Sequence, residues 1–576
     1  MLEALEYSQT SARAEPLLRD RFLAVPLLLP LVLLALDSNW IFSGPYRDAW
    51  IYYGYYNKLG QYAGEFSQHY FSSRLSLILP GWVAHHLLPP LAANLVLHLV
   101  IYWVATLSFY TFCRLHLDRG VALLATLALG SYPFFLQAIG WNYADGYGIT
   151  YALSSLALLA LAGRRSQQRS WQLCLVLAGA AAMALVTANL FYAIFLPWLA
   201  AYFLAVPVRQ ERRPLLRSFL LAGAGAAGMF VAFGAANLVF RGPFFYLLPS
   251  LRFTFSATQQ ANPFRDATYS WLDHASWLAL PAAVCVGAAV LLARLRGEPD
   301  PARRRFLVFT QVQLLAFTAV MLLLQFKADM AVLEHVYYGS LFIPPIFLAL
   351  AGQLSEVLRE TRPRLLAVLA GVWGAALVLP GAMALDTKSL RSWIGSSALL
   401  ALVLGLVLAL VLWLRARGPR AAAAFGLCLA ASQFLAWEVN PYINRFNAFE
   451  GDGRGAFLQI ARSFDALDAR GIPRIWYNLD EPVRGNFYDV IATTFMLCPH
   501  ILSTGFPGVD PTGRMCDGIQ LTPGTRIAVL STDPKAYAKA DASLRGIGFS
   551  TRLIERLEVP GPVDDFAITV LEAKAP

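Results

Sequence analysis

The chain has 576 residues, of which 57% are hydrophobic and 14% charged, and its mean hydropathy is +0.52. This composition is too apolar and too poor in charge for an ordinary globular protein, and it indicates a polytopic α-helical membrane protein. The formal net charge is +10. The basic residues stand in short clusters between apolar runs, a pattern that sets membrane topology and points away from nucleic acid as a partner.

Apolar runs of spanning length recur along the chain, since a bilayer core of about 30 Å needs about 20 apolar residues per helix. They predict about thirteen transmembrane helices. The predicted spans are 22–42, 91–113, 121–139, 146–163, 171–188, 190–206, 218–240, 276–293, 306–325, 337–353, 365–384, 394–414 and 420–437. The predicted spans 171–188 and 190–206 are both short. If neither crosses the membrane, the number of spans is still odd and the two termini still lie on opposite sides.

Loops rich in Lys and Arg stay in the cytoplasm. The clusters at 163–170, 208–217, 294–305 and 415–420 all fall on the N-terminal side of the predicted spans. The N-terminus is therefore predicted to be cytoplasmic and the C-terminus extracytoplasmic. The expected location is the inner (cytoplasmic) membrane of a bacterium, and no cleavage site indicates a removed signal peptide.

Three segments are expected: a cytoplasmic N-terminal segment (1–21), a transmembrane domain (22–437) with a first outer loop at 43–90, and a soluble extracytoplasmic domain (438–576). Within the last segment, 455–471 has apolar residues at helical spacing and a terminal Gly. Short strands are expected in PRIWYNLDE, TRIAVLSTD, RLIERLEV and DDFAITVLEA, which favours a small α/β or α+β domain.

Two cysteines of this C-terminal segment, Cys498 and Cys516, are predicted to lie outside the cytoplasm. A disulfide can persist in such a compartment. A Cys498–Cys516 bridge and two unpaired thiols both remain open.

Ionisable residues concentrate in the predicted outer loops. They include Asp48, Lys58, Glu65, His69 and Arg74 in the first loop, Asp145 in GWNYADGYG, Arg265 and Asp266 in the loop 241–275, and Lys327 in FKADMAVLEHVYYGS. Aromatic belts at membrane surfaces explain the many tyrosines nearby, but they do not require Asp48. Asp145 also fits a common Asp-Gly turn. So much charge at one membrane face is costly unless it lines a wet cavity, and a cavity for an anionic head group is the economical interpretation.

The pattern resembles the GT-C superfamily of membrane glycosyltransferases, which includes protein O-mannosyltransferases and the aminoarabinose transferases that modify lipid A. The resemblance rests on an acid in the first outer loop (RDAW), interfacial helices after it (YFSSRLSLILPGW), many spans, and YYGSLFIPPIFLALA before a late span. Two positions depart from the family pattern. Asp48 is followed by Ala49 instead of Glu or Pro, and Tyr337 stands where relatives often have Arg.

The resemblance implies inverting transfer of a sugar from a polyprenyl-phosphate-linked donor to an envelope glycan, lipid or protein at the outer face. Asp48 is the candidate general base for the acceptor hydroxyl. Candidate contacts to the lipid phosphate or sugar are Arg74, Lys327, Arg265, His69, Tyr337 and Tyr338. The alternative for the acid is a structural role in the aromatic belt, and for the cations it is snorkelling at the interface.

A divalent Mg or Mn ion held by Asp48 with Asp145 or Asp266 is a further possibility, because such ions prefer oxygen ligands. These acids are isolated in the sequence, so no cofactor is certain. A polysaccharide polymerase or ligase would instead use pyrophosphate-linked donors. A transporter or lipid flippase would place ionisable groups at the membrane midplane. A membrane scaffold whose outer domain binds a partner is a further alternative, but this function would leave the acid of the first outer loop unexplained.

Overall fold

The computed structural model describes the chain in two parts, one before residue 360 and one after residue 451. The described residues are 20–36, 38–44, 47–164, 170–206, 215–259, 284–285, 287–289, 291–293, 295–328, 332, 336–359, 452–472, 474–478, 490–491, 494, 500–502, 522–531, 536–546, 548–561 and 566–575.

The part before residue 360 is built from helices. They are α1 (Ala24–Leu36), α2 (Arg47–Glu65), α3 (Leu75–Leu87), α4 (Pro90–His116), α5 (Arg119–Gly130), α6 (Pro133–Gly140), α7 (Ala144–Arg164), α8 (Ser170–Ala188), α9 (Phe195–Ala205), α10 (Leu215–Val239), α11 (Leu248–Gln259), α12 (Pro301–Phe326) and α13 (Ile343–Arg359). Short 3-10 segments lie at Arg21–Leu23, Ser38–Ile41, Tyr70–Ser73, Leu190–Ile194, Leu295–Gly297 and Val336–Phe342.

Six stretches among the described residues are helical, long and apolar enough to cross a membrane. They are Pro90–His116, Ala144–Gly163, Ser170–Ala188, Leu215–Val239, Pro301–Phe326 and Tyr338–Glu356. The helices α5 and α6, bent by 63° at their junction, would form a seventh span. These elements match predicted spans and confirm a polytopic helical membrane protein.

Two predicted spans are built differently from a single long helix. The first, 22–42, contains the 13-residue helix α1 followed by a separate 3-10 turn. In 190–206 a 3-10 segment precedes the 11-residue helix α9, because the Asn189 side chain accepts a hydrogen bond from the Phe191 amide (3.1 Å) and starts a new segment. The predicted spans 365–384, 394–414 and 420–437, and much of 276–293, lie outside the described residues, so a total of thirteen stays a prediction.

The first outer loop folds into the helices α2 and α3, which lie against the spans. Tyr52, Tyr55 and Tyr56 of α2 are fully buried, and a Cβ at Gly81 of α3 would collide with the Tyr56 ring. The sequence predicts interfacial helices broken at Pro80 and Pro89. In the structure α3 continues through Pro80, and Leu88 and Pro89 separate it from α4.

The C-terminal part contains α14 (Gly453–Asp468), α15 (Ala536–Gly546) and a five-stranded sheet. The strands are β1 (Arg474–Asn478), β2 (His500–Leu502), β3 (Arg526–Ser531), β4 (Ser550–Val559) and β5 (Phe566–Lys574), in the order β2-β1-β3-β5-β4. β1 is parallel to β2 and β3, whereas β5 is antiparallel to β3 and β4. The predicted helix and all four predicted strands are present, and Gly471 follows the helix at φ 58°.

Helix α14 packs directly on the first outer loop. The Phe457 ring lies 5.6 Å from Tyr53 and 6.1 Å from Trp50, measured between ring centroids. Lys58 pairs with Asp468. These contacts join the C-terminal part to the helix that carries Asp48, an arrangement that the sequence did not predict.

Candidate functional site

A cluster of polar and aromatic side chains forms where the first outer loop meets the start of α7. Asp48 lies in the first turn of α2, and Arg74 lies between the 3-10 turn Tyr70–Ser73 and α3. Asp145 lies in the first turn of α7. The first outer loop, which carries Asp48 and Arg74, therefore meets the start of α7, which carries Asp145 and lies more than 60 residues further along the chain.

Arg74 is the centre of this cluster and is only 6% exposed. Its guanidinium carbon lies 5.0 Å from the ring centre of Tyr143, 5.4 Å from that of Tyr70 and 5.6 Å from that of Tyr52. These are cation–π distances. The Nη1 atom is buried and has no hydrogen-bond partner among the described residues. A buried charged donor is costly unless an anion pairs with it, so this atom marks a position suited to an anionic group.

Asp48 is half-buried and acts electrostatically on the same three tyrosines as Arg74. Burial raises the pKa of Tyr52, Tyr70 and Tyr143 well above the ordinary value; nearby Asp48 adds to this effect and Arg74 opposes it. The three phenols consequently keep their protons at neutral pH and can donate hydrogen bonds. The cluster thus combines a carboxylate, a fixed cation and neutral donors.

Asp145 supplies a second carboxylate, which is 3% exposed. The Tyr192 hydroxyl donates a hydrogen bond to its Oδ1 (3.0 Å), and Arg74 is close enough to interact with it electrostatically. Tyr192 also bonds the Ser340 side chain, which links the cluster to the 3-10 segment before α13. Asp145 is therefore a buried helix-start residue that faces the cluster, instead of part of an exposed Asp-Gly turn.

Two other predicted contacts lie beside this cluster. The exposed His69 ring stacks on Phe71 (5.4 Å between centroids), and Phe71 in turn flanks Arg74. Tyr338 packs against Phe191 (5.0 Å) and interacts electrostatically with Tyr70.

The remaining predicted residues are not brought into the cluster by the described structure. Lys327 is exposed at the C-terminal end of α12, and no described contact joins it to Arg74. Tyr337 belongs to the 3-10 segment Val336–Phe342, but its side chain lies outside the description. Arg265, Asp266, Cys498 and Cys516 also lie outside the described residues.

The donor set around Asp145 fits an anion better than a metal ion. Arg74 and the Tyr192 hydroxyl already face this carboxylate, and a divalent cation beside it would meet the guanidinium charge. In the part of the chain that the structure describes, no group of three or more His, Cys, Asp or Glu side chains could hold a metal.

Sequence reasoning missed four members of the cluster, Tyr52, Tyr70, Tyr143 and Tyr192. They occur in tyrosine-rich stretches that a membrane interface explains without any function. The one local signal was that Tyr143 and Asp145 stand two residues apart in GWNYADGYG, next to a predicted span.

The fold and this cluster together define a polytopic helical membrane protein with a buried, anion-suited site at the ends of its spans. No protein-family model and no curated protein sequence matches the chain. The crystal structure of ArnT from Cupriavidus metallidurans bound to undecaprenyl phosphate is similar over 95% of this chain and 97% of that chain, with 15% sequence identity and a TM-score of 0.45.

Proposed function

We propose that the chain is an inverting membrane glycosyltransferase, which moves a sugar from a polyprenyl-phosphate-linked donor to an acceptor at the outer face of a bacterial inner membrane. The observation that carries the proposal is Arg74, a buried guanidinium under three tyrosine rings whose Nη1 has no described partner. An Arg in this setting suits a phosphate group, because its planar fork matches phosphate oxygens.

The proposed reaction needs one base and one anion site. The acceptor hydroxyl gives its proton to the Asp48 carboxylate while its oxygen bonds to the anomeric carbon of the sugar. The bond from that carbon to the phosphate oxygen breaks, and the electron pair leaves with polyprenyl phosphate. The leaving group is already a stable anion, so Arg74 and the neutral phenols can stabilise it without a general acid.

Asp145 is proposed to act as a positioning residue. Its buried carboxylate interacts with Arg74 from the side of α7 and is itself held by Tyr192. It compensates part of the guanidinium charge while leaving Nη1 available for the donor phosphate.

The position of the cluster favours surface chemistry over transport. Asp48 and Arg74 lie outside the six candidate spans, and Asp145 is the second residue of its span. A transporter is expected to hold such groups near the membrane midplane.

The test supplies the purified full chain in lipid with a panel of radiolabelled polyprenyl-phosphate sugars and an envelope extract as acceptor. The wild type is expected to transfer label from one donor, and Asp48→Asn is expected to reduce the rate at least 100-fold, the lower range for loss of a general base. Glu65→Gln is the matched control, because Glu65 is an exposed acid of the same helix.

Transfer by Asp48→Asn at the wild-type rate would exclude Asp48 as the base. If the folded wild type transfers no sugar from any monophosphate donor, the proposed function is wrong. A parallel assay supplies pyrophosphate-linked oligosaccharides, and label transferred solely from these donors would instead identify a polymerase or ligase.

A further inference from the structure

A long apolar groove of about 880 Å³ runs between α9 and α12. Its walls include Ile194 of the 3-10 segment before α9, Trp198 and Ala201 of α9, and Phe309, Val312 and Ala316 of α12. The two helices are antiparallel, since Phe195 stacks on Phe317 (5.4 Å) while Tyr202 contacts Phe309 (5.4 Å).

The groove has two chemically different ends. Ile194 and Val320 line the end close to Tyr192, which belongs to the candidate site. Arg304 and Arg305 line the opposite end, about 24 Å away along α12 at 1.5 Å per residue. Between them Gln313 is a polar lining residue, and its Nε2 already donates to the carbonyl oxygens of Thr310 and Pro345 (both 3.1 Å).

The two arginines differ from their neighbour Arg303. Arg303 pairs with the carboxylates of Glu356 and Glu298, whereas the side chains of Arg304 and Arg305 are exposed at the groove entrance. The Arg305 Nε atom donates a hydrogen bond to the Pro301 carbonyl oxygen (3.1 Å). The nearby Asp300 carboxylate accepts a hydrogen bond from the Ala302 amide (2.9 Å) and caps α12. The entrance is therefore a cationic rim on an apolar channel.

We propose that this groove binds an anionic glycerophospholipid of the cytoplasmic leaflet. Its phosphate contacts Arg304 and Arg305, and one acyl chain lies along the groove. Half of a bilayer core is about 15 Å, so such a chain reaches from the rim past Phe309 towards Val312. A basic rim between transmembrane helices on this face complements an anionic lipid head group. The site is separate from the proposed transfer reaction.

The test measures phosphatidylglycerol binding to the full chain in detergent by native mass spectrometry, with phosphatidylcholine as the neutral comparison. We expect phosphatidylglycerol to bind at least tenfold more tightly than phosphatidylcholine. The double variant Arg304→Gln/Arg305→Gln is expected to weaken phosphatidylglycerol binding about tenfold or more. Arg217→Gln/Arg462→Gln removes the same charge elsewhere and is expected to bind like the wild type.

A third variant, Ala201→Trp, fills the groove and keeps both arginines. It is expected to weaken binding as well, with the thermal unfolding midpoint confirming that each variant is folded. Equal binding of the two phospholipids would overturn the proposal. Loss of binding with the arginine variant but not with Ala201→Trp would also overturn it, because it would show surface attraction without use of the groove. In a competition experiment, polyprenyl phosphate is added to the protein with bound phosphatidylglycerol. If it displaces phosphatidylglycerol equally well from the wild type and from the arginine variant, a different lipid is the occupant.

Discussion

At the scale of single residues, Arg74 is the feature on which the proposed chemistry depends. A guanidinium stays charged when buried, and here tyrosine rings surround it instead of water. The guanidinium lies over the Tyr143 ring and also donates a hydrogen bond to the Tyr143 hydroxyl oxygen. A substitution of Arg74 is therefore expected to act through the lost planar shape of the guanidinium as well as through any change of charge.

Arg74→Lys keeps the positive charge but removes the planar fork and the ring stacking. We expect the KM for the polyprenyl-phosphate donor to rise about 10- to 100-fold, because bidentate phosphate contacts are lost. Steady-state kinetics with varied donor measure the change. An unchanged KM in a folded variant would remove Arg74 from the phosphate site.

His85 of α3 makes a separate, pH-dependent contribution to stability. It packs on the rings of Tyr53 (5.3 Å) and Tyr56 (5.4 Å), and neither ring nitrogen has a described hydrogen-bond partner. Burial, with smaller contributions from His98 and His86, lowers its pKa from 6.5 to about 4. The unfolded chain therefore binds a proton at a higher pH than the folded chain does.

Stability is expected to fall as the pH decreases from 6.5 to about 4, by an amount on the order of 3 kcal/mol for a shift of this size. His85→Phe keeps a stacked ring without a titrating group, so its thermal unfolding midpoint should depend less on pH over this interval. His86→Phe, at an exposed neighbour that contributes least to the His85 shift, should retain most of the wild-type dependence. Parallel curves for wild type and His85→Phe would contradict the assignment.

At the scale of elements, the decisive contact is that between α2 and the C-terminal part of the chain. Phe457 lies against Trp50 and Tyr53, and the Tyr62 hydroxyl donates to the Thr494 carbonyl oxygen (3.3 Å). The helix α2, which carries Asp48 in its first turn, is thus covered along its length. We infer that the C-terminal part helps to hold the candidate site.

Two glycines of α2 allow this contact to be tested. A Cβ at Gly54 would collide with the Thr494 carbonyl oxygen, whereas a Cβ at Gly60 would meet nothing within 4 Å. We expect Gly54→Ala to destabilise the fold by roughly 1–3 kcal/mol, the usual cost of overpacking, and Gly60→Ala to be neutral or slightly stabilising. Thermal unfolding compares the pair; equal midpoints would show that Thr494 does not pack here.

At the scale of the whole molecule, the candidate transfer site and the basic rim of the apolar groove lie at opposite ends of the spans. The cluster around Arg74 occupies the end where α7 begins, and the rim of Arg304 and Arg305 occupies the end where α12 begins. His116, at the far end of α4, stacks on Phe306 near that rim (4.4 Å). The loop charges predict that the rim faces the cytoplasm.

This topology is tested with single cysteines at two exposed positions in a variant whose six native cysteines are replaced. His69→Cys lies on the face of the candidate site and Arg296→Cys on the face of the rim. A membrane-impermeant maleimide added to spheroplasts should label the first at once and the second after lysis alone. Labelling of both before lysis, or the reverse order, would refute the predicted orientation.

Much of the architecture could be predicted because it depends on local composition. The spans at α4, α7, α8, α10 and α12 follow from the length of their apolar runs, and β3 and β5 follow from short apolar segments in a polar setting. The break at Asn189 was also predicted, between 171–188 and 190–206, but the 3-10 segment Leu190–Ile194 that follows the Asn189 cap was not.

Sequence by itself determined the class of protein, the expected orientation, and a short set of ionisable residues that includes Asp48, Arg74 and Asp145. Only the tertiary structure decided that Arg74 lies under Tyr143 and that Asp145 faces it from the start of α7. It alone placed Phe457 against the helix of Asp48. Apolar length and periodicity are written in neighbouring residues, whereas the meeting of distant loops depends on how whole helices pack.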